Sequence, residues 1–176
     1  MKILHKKENF LMPLYLACTT EKNEFCKHVN FVNGYMYATN THILIKQSID
    51  YCNVINKENL NGKSIHCEDF KKIFKANKVI AHENHIECHY FKEDKKEIFK
   101  YQTDVRLPDF EKIINEEPSE VSCVQINPKL IEIAAKCIYD DNDSKGLIFT
   151  FCKNDKLKIE SKYYENQLVM VLTIQQ

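Results

Sequence analysis

The sequence predicts an α+β fold in which antiparallel sheets lie behind one row of helices. Two observations lead there. A short helical pattern followed by several strand patterns occurs three times, at intervals of roughly 60 residues. The chain is also 44% hydrophobic and 28% charged, a balance that suits compact domains and excludes disordered, collagen-like and mucin-like chains. No apolar run approaches the ~18 residues that span a bilayer, and residues 1–9 lack the apolar centre of a signal peptide. A cytoplasmic protein with no membrane partner is expected.

In the first stretch, Leu11, Leu14, Tyr15 and Cys18 recur at helical spacing over 10–20, with Pro13 tolerated in the opening turn. Strands at 28–32 and 35–39 flank Asn33-Gly34, the dipeptide that best supplies two positive φ angles for a two-residue hairpin. Residues 42–49 read as a third strand. The second stretch opens at 64–69, where an extended pair leads into an amphipathic helix, 70–75. Phe70, Ile73 and Phe74 share its apolar face, while Lys71, Lys72, Lys75 and then Lys78 point elsewhere. Strands at 79–81, 86–91 and 97–101 follow, with Glu83-Asn84 and Glu93-Asp94 as turns.

The third stretch predicts a strand at 121–126, then Asn127 as helix cap with Pro128 in the first helical position. Leu130, Ile133, Ala134, Cys137 and Ile138 form the apolar stripe of that helix. An acidic loop at 140–143 leads to strands at 147–152, 156–161 and 167–174. The linker Glu116-Glu117-Pro118-Ser119 marks a boundary between a domain over 1–115 and a half-domain over 116–176.

Charge and cysteine usage narrow the function. The 25 basic and 25 acidic residues cancel, so attraction to a polyanion must depend on where lysines are placed. Arg106 is the only arginine. Lysine is a point charge that suits phosphate contact better than base readout. The eight cysteines are dispersed without a C-x-x-C pair, and read as reduced, mostly buried thiols.

One segment, Asn33-Gly34-Tyr35-Met36-Tyr37-Ala38-Thr39-Asn40-Thr41-His42-Ile43-Leu44, resembles the middle domain of the bacterial DNA polymerase sliding clamp, the beta subunit. That family runs glycine, strand, Ala-Thr-Asp-Gly-His-Arg-Leu; Ala38, Thr39, His42 and Leu44 match, whereas Asn40, Thr41 and Ile43 depart from it. Further on, residues 65–74 resemble the strand and helix opening the second half of that domain, and 106–114 its Phe-Pro-Asp-Tyr linker. Ile126-Asn127-Pro128, 157–160 and 168–174 resemble the end of its third domain. The chain is shorter than a clamp, lacking counterparts of the first domain and half of the third.

The resemblance implies DNA-clamp-like repeats and a non-enzymatic role in DNA replication or repair, without a cofactor. It implies a helix face that contacts duplex DNA weakly and without sequence preference, carrying Lys71, Lys72, Lys75, Lys78, Lys129 and Lys136, with Lys6 and Lys7 near the start. It also implies a pocket for a short peptide of replication or repair proteins, at Thr39, His42, Leu44, Pro108, Ile113, Val169, Met170 and Leu172. A homo-oligomer is expected. The rival is a clamp-fold adaptor that has lost the ring and DNA.

Other chemistry is sparse. His82, His85, Cys88 and His89 have the donor types that zinc or copper take, but alternate strand residues face apart and the His82 to His85 gap reads as a hairpin turn, so no metal is expected. Asp140, Asp141 and Asp143 fit a polar turn better than a magnesium nuclease centre. No nucleophile, base and orienting group can be assembled, and no catalytic residue is assigned.

Overall fold

The computed structural model describes residues 9–10, 13–20, 23–115, 117–118, 126–138, 147–161 and 167–172. The strands are β1 His28–Val32, β2 Tyr35–Thr39, β3 Ile43–Ser48, β4 Ser64–His66, β5 Lys78–Ala81, β6 His85–Tyr90, β7 Lys95–Lys100, β8 Leu147–Cys152, β9 Lys156–Ser161 and β10 Gln167–Leu172. The helices are α1 Cys67–Ile73, α2 Phe110–Ile114 and α3 Pro128–Cys137. One seven-stranded sheet has the order β4-β1-β2-β3-β10-β9-β8, and β5-β6-β7 form a second sheet. All their named pairings are antiparallel. This is the expected α+β class.

Local chemistry accounts for the frame. Asn33 and Gly34 adopt φ of 49° and 82°, so the turn between β1 and β2 is the two-residue hairpin that this dipeptide favours. Asn127 caps α3 by accepting the Lys129 N–H at 3.0 Å, and Pro128 sits where its missing N–H costs nothing.

Three expectations need correction. Among the described residues of the helix read over 10–20, Leu14–Ala17 form a 3-10 turn: Pro13 precedes it without a side-chain cap, and Cys18 is already extended. The linker after Arg106 contains a helix, α2, whose Asp109 cap accepts the Lys112 N–H at 3.1 Å. Within the second stretch, β7 starts at Lys95, two residues before the expected strand. The expected strand at 121–126 lies outside the described residues except for Ile126, and so do Lys6, Lys7 and the acidic loop.

Because side chains alternate along each strand, the large sheet has two unlike faces. One gathers Val29, Phe31, Met36, Ile43, Ile45, Val169 and Val171 against α1, α3 and the 3-10 turn. Phe70 of α1 packs its ring 4.9 Å from Phe10 and 6.5 Å from Phe31. The small sheet adds Val79, Ala81, Ile86, Cys88 and Phe99 to this same core. The other face carries Tyr37, Leu44, Leu168 and Met170, covered by Phe110 and Ile114 of α2. Strand β10 pairs with β3 from Ile43↔Val171 to Gln47↔Gln167, so the first and third stretches share one sheet.

Candidate nucleic-acid and peptide interfaces

The lysines follow from how the helices bury their apolar sides. In α1, Phe70 and Ile73 are fully buried, which turns Lys71 and Lys72 outward; Lys75 is exposed just beyond it. In α3, Ala134 and Cys137 are buried while Lys129 and Lys136 are exposed. Both helices pack on the same 3-10 turn, so these residues belong to one helical layer. Lys78 is exposed at the start of β5. Two of the six are engaged: Lys136 with Glu132 at 2.6 Å, and Lys72 with Asp69 at 3.7 Å. Among the described residues Lys71, Lys75 and Lys78 have no ion-pair partner.

The expected peptide residues divide. Leu44, Ile113, Met170 and Leu172 meet in the apolar cluster beneath α2. Val169 lies on the opposite sheet face, in the helix-side core, as neighbours along a strand must. Thr39 and His42 build the turn before β3. The Thr39 hydroxyl donates to the Ile43 carbonyl at 2.7 Å and accepts from the Thr41 N–H, while the His42 carbonyl accepts from the Leu172 N–H at 2.9 Å. Pro108 is half-buried ahead of α2. Leu44 and Met170 are fully covered, so the chain's own helix fills the surface on which a peptide would lie.

Sequence reasoning missed what pins that helix. The Tyr37 and Phe110 rings stack at 4.6 Å and 10°. The buried Lys46 ammonium lies 2.7 Å from Glu111 and 4.0 Å over the Tyr35 ring, and the Tyr37 hydroxyl donates to Glu111. Partial burial pushes the Glu111 carboxyl up, but the hydrogen bonds from Lys46 and Tyr37 outweigh it and hold the group below its ordinary 4.5. Also missed was a thiol pair: a hydrogen bond with Cys18 lowers the Cys67 thiol at the start of α1, where His66 assists. No spacing rule links residues this far apart in sequence.

The histidine cluster is dispersed by strand geometry. His82 and His85 stack at 4.5 Å across the β5–β6 turn, Cys88 faces the core, and His89 bonds Glu87 at 2.5 Å. Among the described residues no three His, Cys, Asp or Glu side chains stand close enough to hold a metal. No described helix is long and apolar enough to cross a membrane.

One solved structure shares this arrangement over the whole chain: the crystal structure of the DNA polymerase sliding clamp from Bacillus subtilis superposes with a TM-score of 0.60. The fold resembles that of a bacterial sliding clamp. The two sequences are 11% identical, and the match covers 100% of this chain and 67% of the clamp chain. At this identity the likeness is one of fold. No protein-family model and no curated protein sequence matches the chain.

Proposed function

We propose that this chain is a non-enzymatic, sliding-clamp-like protein of DNA replication or repair, working in the cytoplasm as a homo-oligomer. The observation that carries this reading is the single layer formed by α1, α3 and the 3-10 turn on one sheet face, with Lys71, Lys72, Lys75, Lys129 and Lys136 exposed around it. Lys78 extends the basic surface from β5. Weak phosphate contacts from such a layer would let duplex DNA slide, and zero net charge keeps the rest of the surface from holding it. The division at 115/116 into a clamp-like domain and a half-domain belongs to the same reading. Further copies would complete the assembly, and the exposed Ile148, Phe149 and Phe151 offer apolar surface for that contact. Partner proteins would dock a peptide against Leu44, Met170 and Leu172, flanked by Thr39, His42 and Pro108, once α2 moves aside and takes Ile113 with it.

Fluorescence anisotropy with labelled duplex DNA, titrated across salt, tests the first part. Binding at low salt that fades with a slope of several units is expected, and reversing Lys71, Lys72 and Lys75 together to Glu should lower that slope by about three. An unchanged slope removes the proposed face. Light scattering tests assembly: a monomer at high concentration removes the oligomer. The second reading, an adaptor that keeps the fold without DNA, is favoured by the carboxylates already paired with Lys72 and Lys136. It predicts no duplex binding even at low salt.

A further inference from the structure

The described cysteines include two chemical kinds. Cys52, Cys88 and Cys137 lie in the apolar core, where burial pushes each thiol up to about 12 and leaves it protonated and inert. Cys18 and Cys67 differ, because their side chains hydrogen-bond to each other.

Ordered backbone delivers both sulfurs. Cys18 follows the 3-10 turn Leu14–Ala17 and its N–H donates to the Tyr15 carbonyl at 3.3 Å; the next N–H, of Thr19, donates to the Cys26 carbonyl at 2.9 Å. Cys67 is the first residue of α1, directly after His66, which ends β4 opposite His28. Tyr15 of the turn meets Phe74 at the end of α1 edge-on, ring centroids 5.6 Å apart, so turn and helix are packed together. Two sulfurs in contact on fixed segments are the starting geometry that a disulfide needs. The pair stands at the margin of the core: Cys18 is half-buried and Cys67 is 6% exposed.

The two thiols are unequal. The hydrogen bond from Cys18 brings the Cys67 thiol down to about 6 against the opposing pull of burial, with His66 and the Glu68 N–H assisting and the Glu68 carboxylate opposing. The same contact, together with burial, raises Cys18, which keeps its proton; the Leu14 carbonyl, 3.8 Å from its sulfur, is a second acceptor for it. A thiolate beside a protonated thiol is the arrangement of a nucleophile with its resolving partner.

We propose that Cys67 and Cys18 form a reversible disulfide in response to hydrogen peroxide, Cys67 as the attacking thiolate and Cys18 as the resolving thiol. The Cys67 sulfur attacks one peroxide oxygen, the O–O bond breaks, and hydroxide leaves and takes a proton from solvent, which makes Cys67 a sulfenic acid. The Cys18 sulfur then attacks the Cys67 sulfur, the S–O bond breaks, and the departing hydroxide leaves as water with the Cys18 proton. The two electrons lost by the sulfurs reduce peroxide to two waters, and a dithiol reverses the bond. Oxidation thus turns a packing contact into a covalent link between the start of α1 and the segment beyond the 3-10 turn. A transient bridge of this kind suits a reducing compartment, where disulfides are mostly redox-sensing. The pair stands whether or not α1 meets DNA.

The test exposes the full, reduced chain to a small excess of hydrogen peroxide at neutral pH. Two of the eight thiols should be lost, the intact chain should become two hydrogens lighter, and digestion without reductant should yield one cross-linked peptide joining residues 18 and 67. Dithiothreitol should restore both thiols. Cys67→Ser should slow thiol loss at least about tenfold. Cys18→Ser should stop at the sulfenic acid, trapped by dimedone at Cys67. Amide exchange over 68–73 should slow several-fold in the oxidised wild type and recover on reduction. The proposal is overturned if all eight thiols survive peroxide, if the bridge joins other cysteines or two chains, if Cys67→Ser is oxidised as fast as wild type, or if dithiothreitol fails to restore the pair. Mapping of the wild-type bridge decides the matter without either variant, so a variant that fails to fold does not protect the idea.

Discussion

The two faces of the seven-stranded sheet are held by different means. The helix side is a continuous apolar core to which all three stretches and the small sheet contribute, with Phe31, Phe70, Ile45 and Ile65 fully buried. The α2 side is a small apolar patch under five helical residues, fastened by one ring stack and one buried cation. The first face defines the fold, because any loss there is felt by every element packed on it. The second is a local closure that can open while the sheet persists, since little besides its own patch opposes that.

Substitutions can break or sharpen this contrast. The largest effect is expected for Phe70→Ala, about 3–5 kcal/mol lost in chemical denaturation, because the ring is fully buried between Phe10 and Phe31. Phe110→Ala should cost less, about 2 kcal/mol, because release of α2 caps the penalty. Amide exchange should then accelerate at 110–114 and leave β1 to β3 protected; uniform acceleration would mean that the two faces form one unit. Glu111→Gln should cost about 1 kcal/mol, and it should also change the response to acid. The folded carboxyl lies below its ordinary 4.5, so its contribution is present above that pH and fades as the pH falls through the lower folded value. Protection of the α2 amides, taken relative to their intrinsic exchange rate at each pH, should therefore fall with acid in the wild type and lose that dependence in the variant. The smallest effect is expected for Ile148→Ser with Phe149→Ser, within about 0.5 kcal/mol of wild type, since both are exposed. The same pair should weaken any self-association seen by light scattering.

Much of the frame was legible. The hairpin around Asn33-Gly34 and the start of α3 are written in local chemistry, and both strands of that hairpin fall on the residues expected. The exposed lysines of α1 and α3 followed from apolar periodicity alone. Helix α2 was hidden because five residues are too few to display a period, and its Pro-Asp start reads equally well as a turn. The Lys46, Tyr37 and Glu111 linkage was hidden because a lone polar residue in a strand does not announce its partner. The resemblance groups Val169 with Met170, although strand alternation alone separates them.

The pairing of β3 with β10 has a consequence for the chain as it is made. Strand β3 emerges from the ribosome roughly 120 residues ahead of its partner, on the order of ten seconds at usual synthesis rates. Throughout that interval β3 is an open edge on a newly folded hairpin, the kind of surface that invites pairing with another chain. Lys46, in the middle of this strand and buried only once Glu111 and the sheet close over it, places a positive charge where an intruding strand would pack. The residue that later pins α2 also shields the nascent sheet.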